Sequence, residues 1–522
     1  MRLIPAQRSI TGFFCQWWWV LAIVFFALLI RVFRLTDASV WSDEGFTLEL
    51  ISYPPKIVWI LSGRDVHPPL YYFVLQSWVA LIGSNDLVWT RGLSAIFGAI
   101  NVGLGIWLTL LISTRRAALM AGVLLAVLPI AVRYSQDIRM YSMLGTFLLG
   151  ATIALVYWVV YPSRKRYMVI YAVLMVAGFY THYFSVLCAC SHWLYLLLIR
   201  HPRLGGLRRI NRLAWWSANV MMMVFYTPWL PSMFKQLSQF GPGWVRPIDI
   251  YSLPSAVWRF LTVNDGRTYE TFVFWTLPLL YLMLAFSVLF KRLSSFRFEI
   301  LLVVNGLLTV AAAALISLYT PVFVERYLFF SALMMPLIMA VALDRLKNSK
   351  VLVALLCTVL SVEGYGVYKV YNQQYSLDNP YRIADNQLSR LMQYFNKESI
   401  EGDVLVTGYV YIFYAANFYN QKNRSIRLYT PPGKDGTSGR PDGENVTAPM
   451  IKYTGATYID RLENLVSTNG RVWLLPFTDQ MQGRLQVPAT WKLIRHEVGG
   501  DYLLNQYVIC SPQAIDLSEV CE

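Results

Sequence analysis

The chain has 522 residues, of which 56% are hydrophobic and 14% charged, with a formal net charge of +15. A soluble protein carries about 25% charged residues, so a soluble globular enzyme is excluded. The excess of Lys and Arg points to loops flanking membrane helices rather than to nucleic acid.

Apolar runs long enough to cross a hydrocarbon core about 30 Å thick recur through most of the chain. Eleven spans are expected, near residues 17–35, 91–113, 117–132, 140–161, 167–183, 184–199, 213–231, 272–290, 299–319, 327–344 and 351–370. The first follows Arg2 and Arg8 and reads as an uncleaved signal-anchor. Basic residues then fall on alternate connections: Arg115-Arg116, Arg164-Lys165-Arg166, the loop from Arg200 to Arg212, Lys291-Arg292 with Arg297, and Arg345 with Lys347 and Lys350. These connections share one side if the N-terminus is cytoplasmic, which the positive-inside rule favours. The apolar segment Pro68–Gly83 would reverse every later loop if it crossed. It is therefore expected to lie in the interface, as is Thr47–Leu61, with Trp59, Tyr71, Tyr72 and Trp78 as interfacial aromatics.

That topology puts three ionisable clusters on the outer face. The first outer loop, residues 36–90, carries Asp43-Glu44 and His67-Pro68-Pro69-Leu70. Arg133, Asp137, Arg139 and Tyr141 lie between the third and fourth expected spans, and Glu325-Arg326-Tyr327 between the ninth and tenth. One such cluster is readily a capping or snorkelling group. Three on one face, two of them with an Arg beside the acid, favour a shared site, because ionisable residues at membrane depth are costly unless paired or facing a cavity.

The composition changes near residue 372. Residues 1–371 are expected to form the membrane domain, and residues 372–522 a small extracytoplasmic α/β domain with strands at Val404–Thr407, Arg471–Leu475 and Tyr502–Ile509 and helices at Ile383–Phe395 and Tyr411–Tyr419. Cys15, Cys188, Cys190 and Cys357 sit in or beside apolar segments as small hydrophobes. Only Cys510 and Cys521 are placed to form a disulfide.

In order and spacing, Asp43-Glu44, His67-Pro68-Pro69-Leu70, Gln136-Asp137-Ile138-Arg139-Met140-Tyr141 and Arg326-Tyr327-Leu328 with Pro336 beyond resemble the motifs of GT-C class membrane glycosyltransferases. The closest resemblance is to the bacterial family related to protein O-mannosyltransferases and lipid A aminoarabinose transferases. It implies a mainly α polytopic bundle and transfer of a monosaccharide from a polyprenyl-phosphate-linked donor to a glycan, lipid or protein acceptor outside the membrane, with inversion.

The resemblance assigns the general base to Asp43, at the family's first-loop acid position. Glu44 shares or tunes that role, and Asp137 orients groups or the acceptor. Arg326 is the first choice for the lipid phosphate, with Arg139 and Arg133 as neighbouring cations. His67 stands where relatives have Lys or His, and is expected to hydrogen-bond the phosphate. Tyr327 and Tyr141 offer hydroxyls that could hydrogen-bond the donor, but tyrosines at membrane interfaces are commonly belt residues, and that reading is favoured for both. No cofactor is required by the resemblance. Some members of the wider class use a divalent cation, but the first loop here has no D-x-D motif, and His182 and His192 do not form a metal pair.

A transporter, or an assembly protein of a surface-polysaccharide pathway, is the alternative. A transporter is expected to show internal repeats or broken helices around midplane charges. This sequence shows no repeat, and its charges gather at one face.

Overall fold

The computed structural model describes residues 10–199, 209–239, 245–290, 296–374, 387–408, 410–433, 436–437, 439–440, 457–476 and 487–510. They fall into two compact units. One comprises Met1–Leu35, Trp78–Pro231 and Phe240–Asn379; the other comprises Thr36–Ser77, Ser232–Gln239 and Pro380–Glu522.

The first unit is helical. Its opening elements are α1 (Ile10–Val32) and, beyond three short helices, α5 (Leu87–Ile112), α6 (Arg115–Val127), α7 (Pro129–Ser135) and α8 (Tyr141–Val160). Among the described residues six helices are long and apolar enough to cross a membrane: α5, α8, Thr271–Phe290, Phe298–Ser317, Glu325–Leu343 and Ser349–Tyr371. Counting the bent pair α6 and α7 as one span gives seven, so the expected count of eleven is not confirmed. Each expected segment contains helix, but α9 (Arg166–Phe179) and α10 (Ser185–Leu198) have only 14 residues each. At 1.5 Å per residue such a helix reaches about 21 Å, short of a full hydrocarbon core.

The 54° bend between α6 and α7 has a local cause. Pro129 has no N–H and cannot continue the ladder to Leu125, so the chain breaks at Leu128. Arg31, fully buried on α1, replaces the missing donors. Its guanidinium donates to Leu125 O at 3.3 Å and Ala126 O at 2.9 Å, and its Nε donates to Ser135 Oγ at 3.2 Å. The hydroxyl of Ser135 in turn lies 3.2 Å from that of Ser142.

Several residues of the basic connections bond to helix ends of this unit. Arg116 donates to Asp344 Oδ1 at 2.5 Å, Arg345 donates to the carbonyls of Ser287 and Val288, and Arg209 donates to Val159 O at 2.9 Å.

Among the described residues of the second unit, six strands form a sheet in the order β3-β2-β1-β4-β6-β5. Strands β1 (Val404–Thr407), β2 (Ser425–Tyr429), β3 (Thr457–Ile459) and β4 (Arg471–Leu475) pair in parallel. The hairpin of β5 (Trp491–Gly499) and β6 (Tyr502–Ile509) closes one side antiparallel to β4. Strands β1 and β4 read as unbroken apolar runs, as interior parallel strands do. The shorter or more polar β2, β3 and β5 were not legible. Cys510 is disulfide-bonded, while Cys188, Cys190 and Cys357 are free; Cys521 lies outside the described residues.

Asp403 opens β1 and is almost fully buried. It accepts from Trp473 Nε1 at 2.8 Å and Asn469 Nδ2 at 2.6 Å, and lies 3.3 Å from Arg471. Asp403→Ala leaves the buried Trp473 indole N–H without its acceptor and removes one partner of Arg471, and a buried donor left unsatisfied costs about 1–3 kcal/mol. The expected result is much faster hydrogen exchange of the β1 and β4 amides in the full-length protein. Unchanged protection there would show that the buried carboxylate does not hold the sheet.

Candidate active site

In the helical unit the site is built where the bent pair ends. The last turn of α7 carries Arg133, the following loop carries Asp137 and Arg139, and α8 begins at Tyr141. Arg133 Nη1 lies 3.4 Å from Asp137 Oδ2, and both side chains are almost fully buried. Arg139 is buried as well, and its carbonyl accepts from Ser94 Oγ at 3.4 Å.

Aromatic rings connect this loop to the second cluster. Tyr134 packs edge-on against Tyr141 at 4.9 Å between centroids and against Phe329 at 6.0 Å. The ring of His182 lies 6.2 Å from that of Tyr141 and 4.8 Å from that of Tyr327. The Arg326 guanidinium sits 5.5 Å from the centroid of Tyr327. The Phe184 N–H donates to His182 Nδ1 at 3.1 Å. In the neutral ring this places the proton on Nε2.

Glu325 opens the turn Glu325–Leu328 and takes a hydrogen bond from Arg259 on the helix Ser252–Thr262. Arg259 also lies 4.0 Å from Asp265. Two of the three expected clusters are thus brought together within one unit.

His182 carries no motif, yet the fold places its buried ring between those of Tyr141 and Tyr327. Arg259 and Asp265 had no motif to mark them. Tyr141 and Tyr327 are buried ring partners rather than surface belt residues.

Arg133, Arg139 and Arg326 are buried, as are Asp137 and Glu325, and guanidinium groups match phosphate oxygens geometrically.

Gly98 on α5 sustains the bend behind this loop. A Cβ there would lie 2.0 Å from Ser135 Oγ and 2.7 Å from Arg31 Nε. Gly98→Ala is expected to displace Ser135 and cost about 1–3 kcal/mol, the scale of overpacking. It should lower the thermal midpoint of the purified protein, whereas an unchanged midpoint would show that α7 shifts freely.

In the second unit, Asp43 and Glu44 occupy the first turn of α2 (Ser42–Leu50), where carboxylates suit the helix dipole. Asp43 is partly exposed and Glu44 fully buried. The helix Val410–Tyr419 fixes α2. A Cβ on Gly45 would come within 2.7 Å of Ala415 N, so only glycine permits this approach. Phe46 packs edge-on against Tyr414 at 6.0 Å, Asn417 donates to Glu49 at 2.9 Å, and Val40 N donates to Tyr419 Oη at 2.9 Å. Burial and the hydrogen bond to Glu49 both push the Tyr53 hydroxyl pKa upward.

The segments expected to lie in the interface form α2, α3 (Pro55–Ser62) and α4 (Leu70–Ile82), with 9, 8 and 13 residues. None is long enough to span alone. His67, between α3 and α4, lies 3.5 Å from Asp65. Among the described residues no group of three His, Cys, Asp or Glu side chains is arranged to hold a metal ion.

The fold is that of the GT-C class of membrane glycosyltransferases. Among solved structures, the chain is similar to ArnT from Cupriavidus metallidurans in the apo state over 95% of this chain and 99% of that one, with TM-score 0.62 and 15% identity. The same protein bound to undecaprenyl phosphate matches over 97% and 100%, with TM-score 0.59 and 15% identity. AglB, the archaeal oligosaccharyltransferase from Archaeoglobus fulgidus, in complex with an inhibitory peptide and a dolichol-phosphate, matches over 90% and 70%, with TM-score 0.51 and 11% identity. At these identities the likeness is one of fold. No family model matches the chain, and no curated protein matches it by sequence.

Proposed function

We propose that this protein transfers a single sugar from a polyprenyl-phosphate-linked donor to an acceptor outside the membrane, with inversion at the anomeric carbon. The observation that carries the reading is the buried arginine cluster of the helical unit, walled by Tyr134, Tyr141, His182 and Tyr327. Structural neighbours bound to undecaprenyl phosphate or dolichol-phosphate support a lipid phosphate as its anion.

The acceptor hydroxyl oxygen forms the new bond to the anomeric carbon as the bond from that carbon to the phosphate oxygen breaks. The acceptor proton passes to the Asp43 carboxylate. The electron pair leaves with the polyprenyl phosphate, whose growing charge is met by Arg326, with Arg139, Arg133, His67 and Tyr327 assisting. Glu44 tunes the base, and Asp137, paired with Arg133, orients the arginine and the acceptor. A positioned carboxylate base contributes about 10²–10⁴-fold, and cations aimed at developing charge act strongly where water is excluded.

The basic connections are assigned to the cytoplasmic side of a plasma or inner membrane, and the C-terminal α/β domain to the extracytoplasmic side. No metal or cofactor is assigned a role.

The test is thermal stabilisation of the purified full-length protein by undecaprenyl phosphate against undecaprenol. The phosphate form should stabilise through preferential binding to the folded state, and the alcohol should not. Equal stabilisation by both would contradict phosphate recognition.

A further inference from the structure

His67 and Asp65 flank Val66 in the turn between α3 and α4. His67 Nδ1 lies 3.5 Å from Asp65 Oδ2, and the Tyr72 hydroxyl donates to the same carboxylate oxygen at 3.1 Å. All three residues are buried, with relative exposures of 4%, 6% and 1% for His67, Asp65 and Tyr72. Pro68 and Pro69 restrict the chain that follows. The preceding helix end is held by Gln236, whose Nε2 donates to Ser62 O at 2.7 Å.

A carboxylate buried this deeply is costly unless it has hydrogen-bonding and charged partners, and a phenol and an imidazole are among those of Asp65. A carboxylate facing Nδ1 favours a proton on that nitrogen and orients the ring. Nε2 is then the edge directed away from Asp65. A lysine at this position would need no such support, because an ammonium has no ring plane or tautomer to set.

We infer that Asp65 is the positioning residue for His67: it orients the ring so that Nε2 is presented to the donor phosphate. The inference rests on the proposed reading that His67 meets the lipid phosphate.

The experiment is equilibrium binding of undecaprenyl phosphate to the purified full-length protein as wild type, His67→Ala, Asp65→Asn, Asp65→Glu, His67→Lys and the double variant Asp65→Asn/His67→Lys. Asp65→Asn should weaken binding about tenfold, the scale of losing one charged partner. Asp65→Glu keeps the charge and should recover part of the loss. With lysine at position 67, Asp65→Asn should change binding by less than about twofold, because the coupling between neighbours disappears when one no longer depends on the other.

Equal weakening in both backgrounds would overturn the inference, since Asp65 would then be serving the fold at large. So would wild-type binding by Asp65→Asn when His67→Ala binds weakly. Wild-type binding by His67→Ala would instead remove the phosphate role of His67, and the inference with it.

Discussion

Asp43→Asn is expected to lower sugar transfer by about 10²–10⁴-fold, the contribution of a positioned general base, while leaving undecaprenyl phosphate binding near wild type. The amide keeps the shape of the side chain but cannot take the acceptor proton. Asp43 is partly exposed at the first turn of α2, so the exchange should not disturb packing. Glu44 is fully buried in the same turn. Glu44→Gln should therefore depress protein stability as well as transfer. The split is measured as transfer rate against binding affinity at matched amounts of folded protein. Loss of affinity with an unchanged rate at saturation would reassign Asp43 to donor binding.

The second large effect belongs to Arg326. Arg326→Ala removes a buried guanidinium that lies 5.5 Å from the centre of the Tyr327 ring. Truncating one member of a buried charged contact costs about 2–5 kcal/mol, so undecaprenyl phosphate affinity should fall by at least roughly 30-fold. Transfer should fall further, because the phosphate gains charge as it leaves. Arg326→Lys should recover only part of either quantity, since an ammonium cannot reproduce the planar two-pronged contact of guanidinium. Binding by Arg326→Ala within twofold of wild type would move the phosphate site to other arginines.

Much of this was legible before the structure, and the reason differs by residue. The acids and arginines of Asp137-Ile138-Arg139 and Glu325-Arg326 stand out because charge is scarce in the chain and costly at membrane depth. Their convergence depends on ring contacts between Tyr134, Tyr141, His182, Phe329 and Tyr327, which are far apart in sequence, and no local pattern encodes those pairings. Arg31 was hidden in an apolar run, where a lone basic residue near a helix end usually snorkels. Its role depends on carbonyls that Pro129 leaves without partners almost a hundred residues later. Asp65 had a local signal, an acid two residues before a histidine, but only the turn between α3 and α4 gives that spacing meaning. In the C-terminal unit, the buried strands β1 and β4 were readable as apolar runs, whereas the edge strand β5 presents Lys492, Arg495 and His496 to solvent and looks like loop.

The measurement that tests the central claim most directly is the mass profile of the surface glycans and lipid A of cells carrying the wild type, a deletion, or Asp43→Asn at matched membrane levels. The account predicts that deletion removes one sugar unit from one acceptor and that Asp43→Asn reproduces the loss, the missing mass then naming the sugar. An unchanged glycan and lipid A profile in the deletion, or a deletion phenotype that Asp43→Asn fully restores, would contradict it and favour a transport or assembly role.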